Sequence, residues 1–472
     1  MSGSWFYRNV AEALADDALK AAIASTSSKK MASRAAAVRE VENFDTLRDL
    51  AKQIKQHTLD HLDHYLDEFA RNVEASGGVV HRAATAEQAN ACILGIARRN
   101  GLTSCVKVKS MTTEEIGLTA ALEGGGVHTV ETDLGEFIVQ IDDDRPSHIV
   151  TPIIHKNRKQ VATAMVRELG IEYTEDPETL TMHARRHLRG VFRTCDMGVS
   201  GVNFAAADTG TICICTNEGN GRLTVTRPKV HVALMGIEKV IPRLADLSIF
   251  LKILARSSTG QPITVYNSLV TGPRRRGDRD GPEQLHVVLL DNGRSRVRLS
   301  EYREALQCIR CGACLNACPV YRRIGGHAYD STYPGPIGKL LAPLLGDSSR
   351  YADLPQASSL CGLCKEVCPV QIDIPGLLVK LRRDQVTGKN VPLMRRLGFR
   401  LASAMLTWPR GYHLGRQMAR WLSAIGAEGE WIAKLPPPVS EWTKYHDWPR
   451  PAKRSFRSLW KEEQLSQRRN EK

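Results

Sequence analysis

The sequence predicts an α/β domain over residues 77–295, a small helical, cysteine-organised domain over 296–390, a helical N-terminal region (1–76) and a helical or irregular basic tail (391–472). Three observations predict it. From Gly77 onward short β-runs alternate with helical stretches, the pattern of a parallel or mixed sheet covered by helices. Seven of the twelve cysteines fall between Cys308 and Cys368, after the β-runs have stopped. From Leu381 to Lys472 nineteen Lys/Arg face eight Asp/Glu, and that stretch holds six of the seven tryptophans. A chain of 472 residues, 42% of them hydrophobic, is long enough for two or three domains with at least one sizeable core.

In the N-terminal region Leu59, Leu62, Leu66 and Phe69 form one apolar helical stripe. His57, His61 and His64 share a helix face and could meet a metal, but no further ligand accompanies them, so they read as the polar flank of that helix. The first twenty residues lack a signal-peptide pattern, and no apolar run approaches the roughly 20 residues that span a bilayer. A soluble, cytoplasmic protein is expected. The α/β region then offers VVHRA, a helix capped by Thr85, VKVKS, a helix from Glu114 to Leu122 closed by Gly124-Gly125-Gly126, VHTVET, FIVQI and a helix after Pro152. A second β-rich part runs from NFAAADTGTICICTNEGNGRLTVT through VHVALMG to HVVLLDNG. The tail is broken by Trp408-Pro409, Pro436-Pro437-Pro438 and Trp448-Pro449.

The chemistry sits in the cysteines. CIRCGACLNACP (Cys308, Cys311, Cys314, Cys318) matches the C-x2-C-x2-C-x3-C-P run that binds iron–sulfur clusters. SSLCGLCKEVCP repeats it at Cys361, Cys364 and Cys368, with Ser358 where the first cysteine belongs. Short gaps let a loop wrap three corners of a cluster, and Gly312 and Gly362 ease it around the inorganic sulfides. In two-cluster ferredoxin-like domains the fourth cysteine of each run serves the other cluster. On that rule Cys308, Cys311, Cys314 and Cys368 hold one [4Fe–4S] cluster, and Cys318, Cys361 and Cys364 hold three corners of a second. Its last corner is open to Ser358 oxygen, another cysteine, water or substrate, or nothing, which would leave [3Fe–4S]. Structural zinc also uses C-x2-C pairs, yet has no use for two C-x3-C-P endings. Clustered cysteines in a cytosolic chain point to ligands rather than disulfides.

These motifs, with YRRIGGHAYDSTYPGPIG between them, resemble the lactate utilisation protein B family, the iron–sulfur subunit of the bacterial three-protein L-lactate utilisation system. The resemblance extends to KSMTTEEIGL, ETDLGEFIVQ, PSHIVTPIIHKNR, TNEGNGR and DGPEQLHVVLLDNGR, and to WTKYHDWPRPAKRSF in the tail. The family shares the short second motif. The resemblance implies two [4Fe–4S] clusters and a part in carrying electrons as L-lactate is oxidised to pyruvate. It also implies as partners a cysteine-rich A protein and a C protein, and an α/β domain of the CoA-transferase/ribose-isomerase type.

Other residues carry weaker signals. TNEGNGR reads first as a hairpin turn and second as a ligand loop through Asn217, Glu218, Asn220 and Arg222. Cys213 and Cys215 share a strand face and read as core. His148 and His155 read as structural, Glu131, Asp133 and Glu136 lack a base partner, and Arg274-Arg275-Arg276 is an anion site or a solvated loop. No G-x-G-x-x-G follows a strand, so no flavin or NAD site is evident. The chain is therefore expected to relay electrons to an unknown acceptor rather than to break the lactate C–H bond; catalysis in its own right on a 2-hydroxyacid is the alternative. The basic tail suits a solvated wrap with its indoles as anchors, or peripheral contact with a membrane or acidic partner. Nucleic acid binding is a distant third reading and no nucleic-acid partner is expected.

Overall fold

Strands buried on both faces read as near-continuous apolar runs, and the central ones do, with Ser200, His231 and His286 as buried polar exceptions. In the computed structural model, which describes residues 4–387, 393–425, 429–435, 440–443, 446–452 and 454–470, ten strands precede the cysteine domain. They are β1 (Val79–Ala83), β2 (Ser104–Lys107), β3 (His128–Glu131), β4 (Met197–Gly201), β5 (Phe204–Ala206), β6 (Thr211–Thr216), β7 (Val230–Gly236), β8 (Val240–Ile241), β9 (Tyr266–Val270) and β10 (Gln284–Leu290). Six form a wholly parallel sheet in the order β1-β10-β7-β4-β2-β3. All of β7 is buried, as is β10 after Gln284. Alternate residues feed different cores: Val232 and Leu234 pack with the helix Ala86–Arg99, while Ala233 and Met235 join the core shared with the cysteine domain. The remaining four form a mixed sheet, β8-β5-β6-β9, at the exit of the parallel one.

The α/β architecture is as expected, but several elements differ. FIVQI is not a strand: it lies in the helix Leu134–Ile141, because Asp133 caps the amides of Gly135 and Glu136 at 3.1 and 3.3 Å. LTVT is also helical (Asn220–Thr226), so TNEGNGR is a strand-to-helix turn rather than a hairpin. The helix expected through Glu114–Leu122 divides into Met111–Glu115 and Leu118–Gly124 at Gly117, whose φ of 61° is left-handed. Strands β4, β8 and β9 and the helix Pro177–Thr194 are further elements that the sequence pattern does not predict.

Four helices precede the sheets: α1 (Trp5–Ala15), α2 (Asp17–Arg39), α3 (Phe44–Asp60) and α4 (Leu62–Ala75). Leu59, Leu62, Leu66 and Phe69 are all buried, although His61 interrupts their stripe by separating α3 from α4. The helices clamp the cysteine domain. Arg48 on α3 donates to the carbonyls of Glu366 (2.8 Å) and Cys368 (2.9 Å), and Arg34 on α2 donates to Val367 (3.1 Å). The loop after Ile141 is tied in as well, with Tyr321 donating to the Ser147 carbonyl at 2.8 Å. A Cβ at Gly326 would lie 1.8 Å from that carbonyl, with no flexible atom to yield. Gly326→Ala is expected to cost about 1–3 kcal/mol; an unchanged thermal midpoint would show that the joint is looser than its packing.

The chain forms two compact units, one up to Gln385 and one from Val386 onward. The second unit contains the helices Leu393–Thr407, Pro409–Ile425 and Phe456–Asn470, and Trp431–Ile432 pairs with Trp448–Pro449. Trp408, Trp421, Trp431 and Trp460 are at least half exposed, so these indoles are not buried anchors. The 390/391 boundary and the Pro436-Pro437-Pro438 run fall outside the described residues. Among the described residues no helix is long and apolar enough to cross a membrane.

Candidate iron–sulfur centre

The two cysteine runs fold as one backbone motif used twice. A 3-10 turn, Arg303–Gln307, delivers Cys308; Arg310 and Gly312 then take positive φ (60° and 75°) on either side of Cys311. In the second run Leu360 and Gly362 do the same (56° and 88°) around Cys361. Two non-glycine residues in this region mark a loop held by its function rather than by local preference. Short helices follow, Ala313–Ala317 carrying Cys314 and Leu363–Glu366 carrying Cys364. The correspondence includes the missing cysteine: Arg310 N donates to Cys308 Sγ at 3.4 Å, and Leu360 N donates to Ser358 Oγ at 3.2 Å.

Electrostatic coupling sorts the seven sulfurs. Burial raises the Cys311 and Cys314 thiols, and charge on Cys308 and Cys368 raises them further. Burial holds Cys368 at about 11, with the Ile372 amide opposing and Cys308 adding to the rise. Cys364, also at about 11, responds to burial, then to Cys318 and Cys361. The chain therefore brings Cys308, Cys311, Cys314 and Cys368 together, and Cys318, Cys361 and Cys364 together. Cys311, Cys314, Cys318 and Cys368 are buried, whereas Cys361 is exposed. Lys339, fully buried, places Nζ 3.8 Å from Cys318 Sγ and feels charge on Cys364 and Cys314, so it stands between the sets.

Buried thiolates that repel one another need a polycationic centre. Among the described residues no three cysteine sulfurs lie within 4.8 Å of one another. Four sulfurs on one tetrahedral zinc would stand about 3.8 Å apart, given Zn–S bonds of about 2.3 Å. The donor set fits iron–sulfur clusters, with Arg34 and Arg48 supplying positive charge beside Cys368.

A cavity of about 350 Å³ opens against the first set, lined by Arg310 and Cys311. Asn217, Glu218 and Asn220 line it too; Arg222 is exposed and does not. Cys213 is core, but Cys215, with Sγ 3.8 Å from Cys213 Sγ, reaches the cavity wall. Asp133 both caps its helix and lines the cavity. Glu131 pairs with buried Lys107 at 2.6 Å, and Glu136 is buried with Oε1 unpartnered. His148 is structural: Nδ1 accepts from the amides of Val150 (2.9 Å) and Thr151 (3.1 Å), and Nε2 meets Asn316 at 3.3 Å. His155 meets Asp144 at 2.9 Å beside His327, a grouping compact enough for an ion, but Lys156 already occupies Asp144 at 2.6 Å. His57 pairs with Tyr65 at 2.9 Å, and Arg274 with Glu283 at 2.8 Å. Sequence reasoning missed Lys339 and the cations of the cavity; Arg310, inside the first motif, was the one with a positional signal.

Domain models match in the same order as the geometry: a LUD domain at residues 66–290, a 4Fe-4S dicluster domain at 304–372, and a lactate utilisation protein B C-terminal region at 382–465. Relatives named lactate utilization protein B match over nearly their whole length. The Bacillus licheniformis protein is 43% identical over 99% of this chain and 98% of its own. The Bacillus subtilis protein is 42% identical over 99% and 98%, and that of Geobacillus thermodenitrificans 44% identical over 97% of each. An α/β LUD domain, a 4Fe–4S dicluster domain and end-to-end identity of this size mean that the chain belongs to the lactate utilization protein B family.

Proposed function

We propose that this chain is the electron-carrying iron–sulfur subunit of a cytoplasmic system that oxidises L-lactate to pyruvate. The observation that carries the reading is that two cysteine motifs fold as one repeated loop in a single domain, with Cys311, Cys314, Cys318 and Cys368 buried and Cys361 exposed. Cys308, Cys311, Cys314 and Cys368 would hold one [4Fe–4S] cluster, and Cys318, Cys361 and Cys364 the other, with Ser358 Oγ at the remaining corner. Bound clusters supply reversible uptake of single electrons. The chain's part is to bury Cys311, Cys314 and Cys368 and to leave Cys361 exposed, flanked by the exposed Leu360 and Leu363. That surface suits a partner protein, for which the A and C proteins of the system are the candidates. We assign the CoA-transferase/ribose-isomerase type of layout to the α/β domain on resemblance.

A strain lacking this chain and any other lactate dehydrogenase should fail to grow on L-lactate and recover when the gene is returned. Normal growth would remove the physiological role. Catalysis within this chain is a second reading, favoured by the cavity at Cys311, and lactate-driven bleaching of the purified chain alone would support it. For Ser358 the expected result is selective: Ser358→Ala and Ser358→Cys change the EPR signal of one cluster and leave the other alone. Identical spectra in all three proteins would exclude Ser358 as a ligand.

A further inference from the structure

The cavity beside Cys311 has the chemistry of a binding site. Four cations line it from distant parts of the chain: Lys30 of α2, Lys109 beyond β2, Lys239 beyond β7, and Arg310 of the cysteine loop. Only two carboxylates, Asp133 and Glu218, share the lining. Lys239 is 7% exposed and forms no ion pair among the described residues, and Lys109 forms none either, although Asp133 and Glu136 act on it from beyond contact distance. The half-buried Arg310 meets Glu238 at 3.3 Å and stacks 4.6 Å over Tyr333, yet its Nη1 is buried without a partner.

Buried cations that crowd one another are unfavourable until an anion joins them. Burial, then the neighbouring Lys109, lowers Lys30 to about 8, and burial, then Arg310, lowers Lys239 to about 8. The buried Asn220 Oδ1 also lacks a partner and calls for a donor, which a hydroxyl supplies and a carboxylate does not. Ile149, Val202 and Leu254 give the same space an apolar wall. Its volume, about 350 Å³, falls at the lower end of small-molecule pockets, roughly 300–1,000 Å³, and exceeds what a bare inorganic anion requires.

We propose that this cavity binds a small 2-hydroxy acid, the carboxylate held by Lys109, Lys239 and Arg310 and the hydroxyl donating to Asn220 Oδ1; the 2-oxo counterpart would be held by its carboxylate alone. The choice of acid rests on the lactate reading; the anion site rests on the cavity alone. The ligand would lie against the loop of the first sulfur set, since Cys311 forms part of the wall.

Calorimetric titration of the anaerobically purified full chain tests this with L-lactate, pyruvate, uncharged lactamide and inorganic phosphate. One saturable site is expected for L-lactate or pyruvate and none for lactamide. Affinity should fall at least tenfold in Lys109→Met and in Lys239→Met, with iron content and circular dichroism unchanged. No binding of either acid to a chain that holds its full iron and is reduced by dithionite would overturn the site and leave the relay standing. Equal affinity in both variants, or displacement of the acids by equimolar phosphate, would also overturn the assignment. If either variant fails to fold, the lactate–lactamide comparison on the unaltered chain decides. Saturable binding to a chain that takes up no iron or sulfide on anaerobic reconstitution would support the cavity and sink the relay.

Discussion

Replacing Cys368 by alanine is expected to remove the cluster that, in the proposed crossed assignment, is held mainly by the other motif. Iron should fall from about eight per chain to about four or fewer, and the surviving signal should be that of the exposed centre. The reason is the crossing: Cys368 lies in the second run, but its charge acts on Cys311 and Cys314. Cys318→Ala should do the converse, disturbing the exposed centre although Cys318 closes the first run. Spectra in which each variant damages the cluster of its own motif would contradict the crossed assignment. Anaerobic EPR with iron and sulfide analysis distinguishes the two patterns.

Arg294→Met should destabilise the first unit by about 3–5 kcal/mol, the cost of leaving buried charges without their partner. Arg294 is fully buried and donates to Glu115 at 2.7 and 2.8 Å and to Glu238 at 2.6 Å. Tyr333 donates to the same Glu115 at 2.6 Å, and Arg310 reaches Glu238, so the network joins the α/β domain to the cysteine loops. Burial alone would raise Glu238, but Arg294 and Arg310 outweigh it and hold it at about 2. Because the folded value lies below the unfolded one, this contribution is complete above about pH 5. It drains away as pH falls toward 2. Denaturation at pH 7 and pH 3 checks both statements: the variant should lose less at pH 3. A loss under about 1 kcal/mol at pH 7 would show that solvent replaces the arginine.

What could be read from the sequence was what is local. The cysteines of each run lie within a few residues of one another, so their spacing declared them, and β7 and β10 declared themselves by apolar runs that only His231 and His286 interrupt. FIVQI misled because its β-branched composition suits a strand, while a single cap at Asp133 turns it into a helix. The clamp by Arg34 and Arg48 and the cavity's cations were invisible for a different reason. Lys30, Lys109, Lys239 and Arg310 are far apart in the chain, and nothing in their local patterns announces that the fold gathers them. Ser358 lies between these cases: the motif marked the gap, and only the matched backbone shows its oxygen standing where a sulfur stands in the first loop.

The most direct measurement is EPR of the full chain, purified without oxygen and mixed with the A and C proteins, before and after L-lactate. The account predicts two signals of reduced, interacting clusters after lactate, matching those produced by dithionite. Clusters that dithionite reduces but that stay oxidised with lactate and both partners present would contradict it.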